Sequence, residues 1–215
     1  MTLAATSVLR AKPRGRPPLS PDRILDAAGD LFYRRGLQAV SVNDVADAAG
    51  TTKMTLYRYF PSKDALVAAW LERLARTLYE RSKRLARQCA ADAVGHLRAL
   101  VNDVADAMAA PEFRGWPMTN IAMELTDPAH PARQVADATK ADLRAHLVDL
   151  AHAAAAPNPE NLADSVLLLL EGAAASRHVF AASGPSAGLR WAFEALLKSQ
   201  GLAGRIELDR AEVAA

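Results

Sequence analysis

Residues 41–63 read Ser-Val-Asn-Asp-Val-Ala-Asp-Ala-Ala-Gly-Thr-Thr-Lys-Met-Thr-Leu-Tyr-Arg-Tyr-Phe-Pro-Ser-Lys. Ser41 is a helix N-cap, and Asp44 three residues on makes a capping-box-like pattern. Val42, Val45, Ala46 and Ala49 form one apolar face, and Gly50 ends the segment. A second helix is predicted from Thr52 to Phe60, closed by Pro61. Leu56 and Phe60 lie four apart on its inner face, which leaves Thr52, Lys53, Thr55, Tyr57, Arg58 and Tyr59 over the remaining surface. Two short helices across a tight glycine turn, the second polar and aromatic, define a helix-turn-helix, with the second helix available to a major groove. Double-stranded DNA is therefore the first partner to consider.

Working outward, Ser20-Pro21-Asp22 starts a preceding helix, with serine as cap, proline at the first helical position and aspartate near the positive dipole end. Ile24, Leu25, Ala28, Leu31 and Phe32 supply its apolar face, and Gly36 stops it. After residue 61, Ser62 caps a long helix running to about Cys89, apolar along Leu66, Ala69, Trp70, Leu74 and Leu78. Periodic segments follow at 92–109, 112–126, 131–156, 160–183 and 186–200, separated by prolines and Gly184-Pro185. The expected fold is all-α with about nine helices. A flexible basic arm (1–19) precedes a three-helix helix-turn-helix head (20–66), and a helical ligand-binding and dimerisation body (67–203) ends in a frayed tail (204–215).

Charge is unevenly distributed along the chain. Residues 1–87 hold 16 Lys/Arg against 8 Asp/Glu, a balance of +8, and residues 88–215 hold 10 against 16, a balance of −6. A basic N-terminal part joined to an acidic C-terminal part suggests a polyanion for the first and something else for the second. The single cysteine, Cys89, forms no internal disulfide and fits a reducing cytoplasm. The N-terminus has no apolar leader core. The most apolar stretch, 162–182, carries Asp164, Glu171, Arg177 and His178, so no membrane helix is expected.

The segment Ala49-Gly-Thr-Thr-Lys-Met-Thr-Leu-Tyr-Arg-Tyr-Phe-Pro-Ser-Lys-Asp-Ala-Leu66 resembles the DNA-binding signature of TetR-family transcriptional regulators. The resemblance extends back through Ile24-Leu25-Asp26-Ala27-Ala28 and Phe32-Tyr33-Arg34-Arg35-Gly36. It implies a homodimer with two recognition helices in successive major grooves. It also implies that Thr52, Lys53 and Thr55 meet bases or nearby phosphates, and that Tyr57, Tyr59 and Lys63 meet phosphates, with Arg58 on the same surface. Met54 departs from the small residue frequent at its position. In the arm, Pro13-Arg14-Gly15-Arg16-Pro17 looks like the core of an AT-hook. Its extended backbone, bare Gly15 and the guanidinium groups of Arg14 and Arg16 suit a narrow A·T minor groove.

Residues 112–131, Glu-Phe-Arg-Gly-Trp-Pro-Met-Thr-Asn-Ile-Ala-Met-Glu-Leu-Thr-Asp-Pro-Ala-His-Pro, resemble a segment of one branch of TetR-family C-terminal domains. Phe113, Trp116, Met118 and Met123 are candidate apolar contacts for a small-molecule effector, with Asn120 or Glu124 to orient it and Trp70 to report occupancy to the head. Dimerisation is assigned to the last two helices, through Leu162, Val166, Leu169, Ala173 and Phe180 and then Trp191 and Leu196.

Chemistry is not expected. His96, His130, His146, His152 and His178 lack metal-ligand spacing, Cys89 has no evident base, and no Gly-rich phosphate loop is present. The reading is of a regulator without cofactor or metal, most simply a repressor that binds a palindromic operator as a dimer and is released by an apolar or amphipathic ligand. The alternative is an architectural DNA-binding protein that responds to no ligand.

Overall fold

The computed structural model describes residues 20–89, 92–181 and 183–202. The basic arm with Arg14 and Arg16 and the tail beyond residue 202 lie outside them. The described residues form nine α-helices and no strand: α1 (Pro21–Arg35), α2 (Val42–Ala49), α3 (Lys53–Tyr59), α4 (Lys63–Gln88), α5 (Ala93–Ala109), α6 (Pro117–Glu124), α7 (Pro131–Ala153), α8 (Pro159–Phe180) and α9 (Leu189–Ser199), with a 3-10 turn at Pro185–Gly188.

The head is set by local polar chemistry. Ser20, Ser41, Thr52 and Ser62 each cap a helix by accepting a hydrogen bond from the backbone N–H three residues on. Ser41 and Asp44 complete a reciprocal capping box, Asp44 Oδ2 accepting from the Ser41 amide at 2.8 Å and from its hydroxyl at 2.6 Å. Those bonds to Ser41 hold the Asp44 carboxyl below its ordinary range. Gly50 turns between α2 and α3 in the left-handed conformation, φ 62° and ψ 45°.

Burial falls into two clusters. The first joins Ile24, Phe32, Val45, Leu56 and Leu66 of the head to Trp70 and Leu71 of α4, then to Met118 and Ile121 of α6 and Ala132 and Ala136 of α7. The head core thus continues into the body, with α4 as its spine. The second cluster fills the body between α5, α7, α8 and α9 around Leu97, Val101, Leu147, Leu162, Val166 and Phe193.

The segment expected as a helix over 112–126 is helical only from Pro117 to Glu124. Gly115 takes φ +87°, a conformation that helices do not continue through. Asn120 Nδ2 bonds back to the Arg114 carbonyl at 2.9 Å and ties off the loop. The last helix likewise starts at Leu189 rather than 186, because the 3-10 turn occupies the preceding residues.

Candidate DNA-reading surface and effector body

Helix α3 is clamped at both ends and from below. Thr52 Oγ1 accepts from the Thr55 amide at 3.2 Å, Phe60 closes the C-terminus, and Leu56 is fully buried against the head core. That fixation presents Thr52, Lys53, Met54, Tyr57, Arg58 and Tyr59 outward, with Thr55 half-buried beside them. Met54 stands 81% exposed at the middle of the surface. The Lys53 ammonium lies 5.8 Å from the Tyr57 ring centroid, and the Arg58 guanidinium 5.8 Å from that of Tyr59. These contacts steer the cations without removing them from water. Of the sequence-expected DNA residues of α3, Lys53, Tyr57, Arg58 and Tyr59 are exposed around the outer surface of the helix and Thr55 is half-buried.

Lys63 stands in the first turn of α4. Its Nζ donates to the Leu37 carbonyl at 2.6 Å and pins the start of α4 to the α1–α2 connection. An ammonium has three N–H donors, so this bond leaves two for a phosphate.

A set of long-range bonds fastens the head to the body. Tyr33 Oη accepts from the Arg114 amide at 2.7 Å and donates to the Gly115 carbonyl at 3.1 Å. Burial pushes the Tyr33 phenol up from its ordinary pKa, so it stays a neutral donor. Glu124 Oε2 accepts from the Leu37 amide at 2.9 Å, beside Gly36 with φ +80°. A Cβ on Gly36 would meet Glu124 Oε1 at 3.4 Å as well as strain that backbone. Arg73 of α4 pairs with Asp26 of α1 at 2.8 Å. His130 caps α7 through Nδ1, and its Nε2 lies 3.3 Å from Asp64 on the first turn of α4.

The expected effector contacts do not gather into one place. Phe113 and Trp116 pack edge-on, centroids 5.1 Å apart, against the body cluster. Met118 and Trp70 are buried in the head-containing cluster instead, and Met123 is 77% exposed, so no single cavity is lined by all of these side chains. Asn120 and Glu124 spend polar atoms on the Arg114 carbonyl and the Leu37 amide. The two side chains expected to orient a ligand are thus structural ties, one within the loop and one to the head.

The dimer expectation is also sharpened. Leu162 and Val166, each 1% exposed, belong to the core of their own subunit and are not available to a partner across α8, whereas Ala173, in the same core, also reaches the surface between α8 and α9. Leu169 and Leu196 are half-buried, whereas Phe180 (58% exposed) and Trp191 (77%) face outward. Leu168 and Val179, both 73% exposed, join them. A shallow apolar groove runs between α8 and α9, lined by Leu168, Leu169, Gly172, Ser176, Pro185 and Gly188. The apolar run 166–170 of α8 covers several faces of the helix, so periodicity alone does not say which leucine points out.

Among the described residues, no group of three or more His, Cys, Asp or Glu side chains could hold a metal ion, and no helix is long and apolar enough to cross a membrane. A capped helix with a polar and aromatic outer surface on a three-helix head, spliced to a larger helical body, defines a helix-turn-helix protein of the regulator class.

Comparison with known proteins agrees. Residues 24–70 match the family model described as bacterial regulatory proteins, tetR family. A TetR-type transcriptional regulator from Streptomyces avermitilis is 30% identical, with 86% of this chain and all of that chain aligned at a TM-score of 0.71. A TetR-family regulator from Streptomyces coelicolor is 25% identical over 83% of this chain and 94% of that one, at a TM-score of 0.75. An HTH-type transcriptional regulator of Mycobacterium tuberculosis is 45% identical over 76 residues, 35% of this chain. The chain spans about a third of the length of such curated relatives, 36% for that one. The repressor KstR2 of Rhodococcus jostii is 50% identical over 44 residues, 22% of its length. The chain belongs to the TetR family, whose members are transcriptional regulators and not enzymes.

Proposed function

We propose that this protein is a dimeric transcriptional repressor that holds a palindromic operator with its two α3 helices and releases it when a small apolar or amphipathic molecule enters the body. The observation that carries the DNA half is the outer face of α3. Five of its seven residues are exposed, they include a lysine, an arginine and two tyrosines, and the helix is fixed by caps at both ends. Side chains on a rigid helix read base edges with little ordering cost, and tyrosine hydroxyls and cations meet phosphates. Thr52, Lys53 and Thr55 are assigned to the groove, and Tyr57, Arg58, Tyr59 and Lys63 to the backbone. Outside the described residues, Arg14 and Arg16 are assigned to the adjacent minor groove.

Anisotropy titrations on an operator selected from random DNA test this. Tyr57→Phe removes one phosphate hydrogen bond and should weaken operator and scrambled DNA alike, by about 3–10-fold. Lys53→Ala should cost about 1–3 kcal/mol on the operator and relax the preference at one base pair. If both variants bind like the parent protein, α3 does not dock as assigned.

Ligand release requires the body to move the head, and the Tyr33 and Glu124 bonds are two direct ties between them. Coupling of this kind is about 1–3 kcal/mol. With a compound found by thermal-shift screening, Tyr33→Phe should leave its binding intact and shrink its effect on operator affinity several-fold. Glu124→Gln should do the same, with a lower melting temperature because the Leu37 amide loses its charged acceptor. An undiminished operator response in both variants would remove these bonds from the transmission route.

A further inference from the structure

Three helices of the body bring polar side chains together where nothing in the reading above uses them. His96 of α5 is buried, 5% exposed, and its Nε2 has no hydrogen-bond partner. His146 of α7 packs edge-on against it, centroids 5.3 Å apart and planes at 65°. Ser82 of α4 places Oγ 3.2 Å from His146 Nε2. The flanking positions Leu97, Val101 and Leu147 are each 1% exposed.

A buried polar atom without a partner costs about 1–3 kcal/mol, and any apolar residue of similar size would spare that cost. The cluster is therefore a poor structural element and a good receptor for a polar group. Burial holds both imidazoles below their ordinary pKa, and His146 adds to the effect on His96. Neutral rings together with the Ser82 hydroxyl offer hydrogen-bond donors and room for one positive charge. Several charged groups of the packed helices are paired with one another: Arg81 with Asp103 between α4 and α5, where Arg84 also acts on Asp103, Arg98 with Glu194 between α5 and α9, and Lys140 with Glu171 and Arg144 with Asp164 between α7 and α8. Asp149, on α7 itself, acts weakly on His146 and favours its charged form.

We propose that His96, His146 and Ser82 are the polar end of the effector site and take the carboxylate of an amphipathic organic acid, which enters together with one proton. The proposal rests on the ligand-release reading above. A carboxylate buried against neutral rings would be an uncompensated charge; protonating one imidazole turns it into a hydrogen-bonded ion pair. Ser82 lies twelve residues along α4 from Trp70, about 18 Å at 1.5 Å per residue, so an occupant at this cluster bears on the helix that runs into the head core.

The sign of the pH dependence follows. Binding raises the pKa of the ring that takes the proton. Affinity is then highest at pH values where the free rings already begin to charge. It falls by up to tenfold per pH unit above that, until the pKa of the complex is passed.

The test is calorimetry on the full chain with straight-chain carboxylates from hexanoate to decanoate and the alcohols of matching length. Titrations are run at pH 6.5 and 7.5 in buffers of different ionisation heat. Histidine ring resonances are followed by NMR in parallel. The expected result is carboxylate binding with uptake of about one proton, a shift of the His96 ring signals, and weaker, proton-independent alcohol binding. His96→Phe should weaken the carboxylate at least tenfold and abolish the uptake. Should that variant unfold, Ser82→Ala keeps the rings in place and should weaken the carboxylate several-fold. Equal binding of acids and alcohols, absence of proton uptake, or no carboxylate binding overturns the site. Operator affinity is measured separately. Carboxylate binding with proton uptake but no operator release upholds the site and refutes ligand release. Operator release by apolar compounds that persists unchanged in His96→Phe does the reverse.

Discussion

Replacing Trp70 with alanine is expected to destabilise the protein by about 3–5 kcal/mol, the cost of emptying a buried aromatic site. Trp70 is 7% exposed and sits in the cluster that joins the head to α4. Its ring packs at 5.8 Å and 51° on Phe32 of α1. Its indole also lies on the bare backbone of Gly29, where a Cβ would come within 2.4 Å of Nε1. The indole is thus closed in by α1, and truncation leaves a cavity that neither helix can fill by small shifts. For a chain of this size, about 2–4 °C of melting temperature accompanies each kcal/mol, so the transition should fall by roughly 6–20 °C. Gly29→Ala attacks the same contact from the other side by overpacking it, and should lower the transition by a smaller amount. Calorimetric melting of the two variants checks both. A Trp70→Ala protein that melts within 2 °C of the parent, with altered effector affinity instead, would make Trp70 a pocket residue and not a strut.

What was legible in the sequence was local. Ser41 with Asp44, Gly50 and Ser62 act on backbone groups within four residues, so their roles are written in the spacing itself. The exposed face of α3 was legible for the same reason, because Leu56 and Phe60 alone claim the inner side. What was missed depends on partners far along the chain. Glu124 looks like any helical carboxylate until Leu37, 87 positions earlier, presents an amide to it. His96 and His146 are fifty residues apart with no shared motif, and only the packing of α5 on α7 makes them a pair. Leu162 and Leu168 are indistinguishable in an apolar helix; one is 1% and the other 73% exposed, because α7 and α9 cover one flank of α8 and leave the other open.

That open flank carries the second large effect. Leu168→Glu combined with Trp191→Glu is expected to convert the protein to a monomer and lower operator affinity by about 100-fold or more. Leu168, Gly172 and Val179 follow helical spacing along the outside of α8, and Trp191 projects from α9 beside the groove that Gly172 and Gly188 leave open. A Cβ on either glycine would meet nothing within 4 Å, so another helix can approach closely there. In a twofold contact every introduced carboxylate appears twice, and each would be buried without a counter-charge, at several kcal/mol per pair of sites. Once the subunits part, the second head no longer binds at the high effective concentration set by the first, and avidity of 10²–10⁴ is lost. Folding should be spared, since both side chains are more than 70% exposed in the single subunit. Sedimentation at micromolar concentration, operator titration and a melting curve on the same sample separate the effects. A variant that stays dimeric and binds operator normally would place the interface elsewhere. One that is monomeric yet binds operator as tightly as the parent would show that one head suffices.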